Sequence, residues 1–168
     1  MDVHGYAKAT HFDDMPLGAC FGFEEDAKVL VAIKFSTTVG EQVHIGGVVV
    51  WPGHPGLSGG RPGIYATNAF NRPLIHYTKA TFLPLLGPSD VRAAVADDVP
   101  GFLNCAGRFI VSASGSGFGK LAIDLGTGEG AAMPTGPAFY VLKWKIVQPG
   151  LGGRDYETIC EYPPLPPA

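Results

Sequence analysis

Glycine (24 residues) and proline (15 residues) make up nearly a quarter of this 168-residue chain, and no other feature limits its fold so sharply. Proline fixes φ and removes a backbone donor, and glycine inside a helix costs roughly 1 kcal/mol against alanine, so a chain this rich in both is not built mainly from helices. Both residues belong instead at turns and strand ends. Between them the chain runs in short stretches of β-branched and aromatic residues, which favour strands.

From residue 19 to 50 three such stretches follow one another: ACFGF, VLVAIKFST and VHIGGVVVW, parted by Glu24-Glu25-Asp26 and by Val39-Gly40-Glu41. The loop WPGHPGLSGGRPG at 51–63 excludes regular structure by its proline and glycine content, and its length suits a functional loop better than a hairpin turn. IYATNAF and PLIHYTKATFLPLL fit short strands or a turn of helix equally well. One helix is predicted, PSDVRAAVADDV at 88–99, with Ser89 as its cap, Asp90 at its positive end and Pro100-Gly101 as its stop. Three more strands follow, GRFIVSAS, KLAIDL and PAFYVLKWKIV. In the last, Tyr140, Leu142, Trp144 and Ile146 alternate with Val141, Lys143, Lys145 and Val147, as in a strand with one buried and one partly solvated face.

The expected fold is therefore mainly β, a small β-sandwich or barrel with one short helix, in a single domain over 1–168. Its strand blocks also resemble each other. VAIKFSTTVGE at 31–41 aligns with LAIDLGTGE at 121–129, and PGLSGGR at 55–61 with PGLGGR at 149–154. This suggests two related β modules, 19–65 and 107–157, joined by a helix-containing connection at 66–106 and followed by a proline-rich tail at 163–168.

Charge narrows the partners. The net charge is −3, charged residues are only 16% of the chain, and no block of lysine or arginine occurs, so neither nucleic acid nor an anionic membrane is an expected partner. The first sixteen residues are polar and acidic where a secretion signal would be apolar, and no apolar run reaches membrane-spanning length. The expectation is a soluble protein of the cytoplasm or of a virion. Its N-terminal segment, with His11, Asp13 and Asp14, reads as mobile. Cys20, Cys105 and Cys160 form no C-x-x-C pair and read as reduced, buried thiols.

One motif names a chemistry. LAIDLGTGEG at 121–130 resembles the glycine motif with which class I methyltransferases open their S-adenosylmethionine site, Asp124-x-Gly126-x-Gly128-x-Gly130. That site needs a helix directly after the glycines. Here Pro134, Gly136 and Pro137 interrupt any helix, and the chain then alternates like a strand, so the motif reads as a turn between antiparallel strands and no cofactor is expected. SGSGFGKL at 114–121 departs from a phosphate loop at both decisive places, with Ser114 for the first glycine and Leu121 for the magnesium-binding hydroxyl. His4, His11, His44, His54 and His76 are scattered without metal-ligand spacing, and no metal is expected. Ser58, Ser112, Ser114 and Ser116 lie in no nucleophile signature.

The candidate binding residues are Trp51 as an exposed aromatic, His54 displayed between prolines, Arg61 and Arg154 as planar forks ending the glycine loops, and His76. No catalytic residue is singled out. Few charges, abundant turns, exposed aromatics and the tail CEYPPLPPA, with its P-x-x-P spacings, suit a non-catalytic subunit of an assembly, such as a capsid-associated virion component. Self-association or a protein partner is expected. The alternative is a small β-fold hydrolase or small-ligand-binding protein with a cleft near His54, Arg61 and His76.

Overall fold

The computed structural model describes residues 6–52, 62–88, 91–92, 101–103, 107–115, 119–132, 139–150 and 155–162. In chain order the elements are β1 (Ala7–Thr10), β2 (Cys20–Glu25), β3 (Lys28–Val39), β4 (Gln42–Trp51), β5 (Gly63–Ala66), a 3₁₀ turn (Thr67–Phe70), β6 (Leu74–Tyr77) and β7 (Thr81–Pro84). They continue with β8 (Val91–Arg92), β9 (Gly101–Leu103), β10 (Phe109–Gly115), β11 (Gly119–Asp124), β12 (Gly130–Ala131), β13 (Phe139–Val141), β14 (Trp144–Pro149) and β15 (Tyr156–Tyr162). The protein is mainly β, as its sequence predicts.

Two sheets form. The larger runs β1-β6-β2-β3-β4-β5-β10-β9-β13-β8, with β11 branching from β10 and β12 from β11; the smaller is β15-β14-β7. The larger sheet also returns to itself. The chain entering β12 comes back to β3, where Ser36 N donates to the Gly128 carbonyl at 2.7 Å and Ser36 and Glu129 form a parallel bridge. Strands β3, β4, β5, β10, β11 and β12 thus make a hydrogen-bonded ring, which removes most of the free edge an open sheet would carry.

The central strands are buried on both faces. In β3 the run Leu30–Phe35 is buried throughout, and in β4 so is Val48–Val50. On one face Val31, Ile33 and Phe35 meet Val48, Val50, Ile64, Val111, Ile123 and Leu125, and the smaller sheet adds Trp144, Ile146 and Cys160 to this main core. On the other face Phe21, Phe23, Leu30, Ala32 and Val49 are covered by Phe12, Met15 and Phe70. Phe12 stacks on Phe70 at 4.7 Å between ring centres, and Phe21 meets Phe70 edge-on at 5.2 Å. The double glycine of VHIGGVVVW follows from this two-sided packing. A side chain at Gly46 would collide with Phe35 in the main core, and one at Gly47 with Phe70 and Phe21 opposite.

Three expectations are corrected. The segment around His11, Asp13 and Asp14 is not mobile: Phe12 and Met15 anchor it as the lid of the second core, and β1 pairs with β6. The helix over 88–99 is contradicted where the chain is described, because Val91 and Arg92 pair antiparallel with Val141 and Tyr140. A β-branched residue offered a strand partner overrides a capping signal that is worth about 1 kcal/mol. The single strand expected over 137–147 is, in its described residues, two strands: β13 joins the larger sheet, whereas β14 pairs with β7 and β15 in the smaller. The chain changes sheets at Leu142-Lys143, so Tyr140 packs with Ile110 and Ala122 while Trp144 enters the main core. The two glycine-arginine loops compared above lie, but for Pro149 and Gly150, outside the described residues, as does the proline tail.

Candidate functional site

Of the residues selected from sequence, Trp51 and His76 fall within the described residues, whereas His54, Arg61 and Arg154 lie outside them. Trp51 and His76 do not meet. His76 sits opposite Phe21, which is opposite Ala32, which is opposite Val49, and that row belongs to the second-core face. Trp51 packs on the main core, on the reverse side. A β-bulge sets this orientation: the register shifts between Val31 and Ala32, so Val50 and Trp51 together oppose Val31 and share its face. Trp51 is half-buried rather than exposed. The pKa of His76 lies below the ordinary imidazole value, because partial burial and then the neighbouring Lys8 ammonium disfavour its charged form.

The motif LAIDLGTGEG is the seam of the ring. Asp124 is 2% exposed, and its Oδ1 accepts from the amides of Gly126 (2.7 Å) and Thr127 (3.4 Å), while its Oδ2 pairs with Arg108 Nε. Gly128 N donates to the Asp124 carbonyl and Asp124 N to the Glu129 carbonyl, which folds the turn back into β12. The glycines serve packing against protein. A Cβ at Gly128, where φ is +71°, would run into the amide of Gly18 and the carbonyl of Lys34, and one at Gly130 would strike Thr37. The antiparallel pairing of β11 with β12 is the turn between strands that the sequence predicts.

Cys20, Cys160 and Lys34 are likewise taken up by the protein's own packing. Cys20 and Cys160 are free thiols in the main core. Burial, and then the neighbouring Cys160, pushes the Cys20 thiol far up; burial pushes Cys160 up to about 12 against a backbone hydrogen bond at Ile146 that lowers it. Both stay protonated and unreactive at neutral pH. Lys34, 7% exposed, donates to the carbonyls of Phe12 (2.8 Å) and Met15 (2.7 Å) and stands 4.8 Å from the centre of the Phe12 ring. Among the described residues no group of three or more His, Cys, Asp or Glu side chains is placed to hold a metal ion. None of the described helical segments is long and apolar enough to cross a membrane.

What stands out on the surface is the far half of the β3–β4 hairpin. β2 pairs with β3 only over Lys28–Ile33, and β5 with β4 only over Gly46–Val49, so the hairpin continues past both neighbours to its turn at Gly40 (φ +64°) and Glu41. Along this arm Val39 (43%), Val43 (66%) and Ile45 (45%) are exposed. By register Val43 and Ile45 share a face with Thr38 and Ser36. Beside them lies a cavity of about 430 Å³ lined by Leu17, Ser36, Thr37, Thr38, Glu129 and Gly130. A second, of about 510 Å³, opens where His11 and Asp13 meet Asn68 and Asn71.

Sequence reading missed the arm. Its one signal is that the hairpin strands, of 12 and 10 residues, outrun the neighbours, of 6 and 4, and those lengths depend on pairings that only the fold defines. Comparison with protein-family models, with curated proteins and with solved structures finds no match to this chain.

Proposed function

We propose that the protein is a non-catalytic structural subunit that works by contact with other protein chains, in the manner of a virion component. The observation that carries this reading is the arm, where Val43 and Ile45 lie exposed beside each other on one face of the hairpin, past the end of its pairing with β5. Exposed apolar side chains gathered in one patch mark interaction surfaces, whereas the same residues scattered singly do not. The rest of the described chemistry supports it. The buried lysine and aspartate hold the protein's own loops, and the buried thiols are kept protonated.

Size-exclusion chromatography with light scattering over a wide concentration range tests the reading. A mass that rises with concentration is expected. A compact monomer throughout, with no tendency to associate, would overturn it.

A further inference from the structure

We infer that the cavity between residues 11–13 and the 3₁₀ turn at Thr67–Phe70 is a binding site for a neutral saccharide. The inference goes beyond the assembly reading and does not rest on it. The cavity, of about 510 Å³, has the size of a small-ligand site, and its two walls come from parts of the chain far apart in sequence. Both walls are fixed from below. Phe12 and Phe70, each almost fully buried, stack as the floor at 4.7 Å between ring centres, and Lys34 holds the first wall through the carbonyls of Phe12 and Met15. The local backbone then sets the polar rim. His11 and Asp13 flank the buried Phe12 and stay at the surface, while Asn68 and Asn71, three residues apart, fall on one side of the 3₁₀ turn. Thr67 completes the rim. Polar groups converging over a rigid floor are what a preorganised site requires.

The rim selects the ligand by its hydrogen-bonding groups. Asp13 offers a carboxylate that accepts from two hydroxyls, Asn68 and Asn71 offer amides that both donate and accept, and Thr67 and His11 each supply a donor and an acceptor. Among the described residues no hydrogen bond or ion pair uses these five side chains, so their polar atoms are available to a ligand. Other ligand classes fit less well. The Asp13 charge repels an anion, and the Lys34 ammonium that would attract one is turned to main-chain carbonyls. An apolar ligand would strip water from the rim and return no hydrogen bonds. A metal ion alone would leave most of the cavity unfilled and find only His11 and Asp13 as ligands of the usual kind. A saccharide meets both parts of the site, with hydroxyls around its ring for the rim and an apolar C–H face for the aromatic floor. A free sugar and the terminal sugar of a glycan chain share this chemistry.

Saturation-transfer NMR of the full chain with free glucose, galactose, mannose and N-acetylglucosamine tests this, alongside the same sugars as end residues of immobilised oligosaccharides. Millimolar binding of at least one sugar is expected, because a cavity open to solvent covers only part of the ring. Binding in both formats assigns the ring alone as the ligand, and binding only to the immobilised chains assigns a glycan. Asp13→Ala weakens binding about tenfold or more, since a hydrogen bond to a charged group is lost, and Asn68→Ala weakens it about fivefold. Asp14→Ala removes a neighbouring carboxylate outside the cavity lining and leaves binding unchanged. Circular dichroism checks that the variants fold; Lys34 binds main-chain carbonyls, so its tie survives at Asp13→Ala, and Asn68→Ala tests the other wall independently. The inference is overturned by no binding in either format, by binding that survives both cavity variants, by an equal loss in Asp14→Ala, or by binding confined to sulfated or carboxylated sugars. All of these are read whether or not the chain associates, so the assembly reading stands or falls separately.

Discussion

The two charges buried among the described residues, Lys34 and Asp124, stand at matching places in VAIK and LAID, yet their tasks differ. Asp124 organises its own turn, while Lys34 reaches across the sheet to hold the segment that covers the second core. Replacing Lys34 by methionine keeps the volume but leaves the carbonyls of Phe12 and Met15 without their donor. The expected cost is about 2 kcal/mol, read as a lower urea midpoint at unchanged slope. An unchanged midpoint would mean that Lys34 is not the tie holding the lid. The partners of Lys34 were not legible in the sequence. A lysine in an apolar run announces an unusual environment, but carbonyls some twenty residues away carry no side-chain signature. Asp124 was half legible: D-x-G-x-G-x-G marked a turn, and the missing helix removed the cofactor reading, but that the turn packs on Gly18 and Lys34 is a tertiary fact.

Among the elements, the strands that the sequence located best are those whose apolar runs are bounded by turn residues on both sides. β2, β3, β4, β10 and β11 all fall where they were expected. Expectations failed where the chain had to choose a partner. At Val91-Arg92 an available strand edge prevailed over local helix signals, and at Leu142-Lys143 an unbroken alternating pattern hid a change of sheet. The ring seam offers a test at this scale. Gly40 and Gly128 both have positive φ, but a Cβ at Gly40 meets open space, whereas one at Gly128 meets backbone. Gly40→Ala is expected to cost about 1 kcal/mol, and Gly128→Ala roughly 3 kcal/mol, because collision is added to the conformational penalty. Equal losses in thermal or urea unfolding would show that the seam is not tightly packed.

At the scale of the whole molecule, Cys20 in the larger sheet and Cys160 in the smaller share one core, so both thiols report on the joint between the sheets. Maleimide labelling at neutral pH is expected to leave both untouched in the folded protein and to modify them together on unfolding; labelling of Cys160 alone would reveal that the smaller sheet opens independently. The raised folded-state pKa values give a further sign. Both thiols stay protonated in the folded state while the unfolded ones ionise near pH 9, so their contribution to stability is full below that pH and is lost as pH rises further. By itself the sequence determined that this chain is β-rich, where the central strands β2, β3, β4, β10 and β11 lie, and that its glycine motif is a turn. Those outcomes depend on local backbone preference and on apolar runs only a few residues long. Only the tertiary structure decided that the sheet closes on itself at Ser36 and Gly128, that Trp51 and His76 look out from opposite faces, and that the β3–β4 arm outruns its neighbours. Each of these is set by which strand lies beside which, and pairing partners far apart along the chain are selected by packing and register rather than by any pattern within a strand.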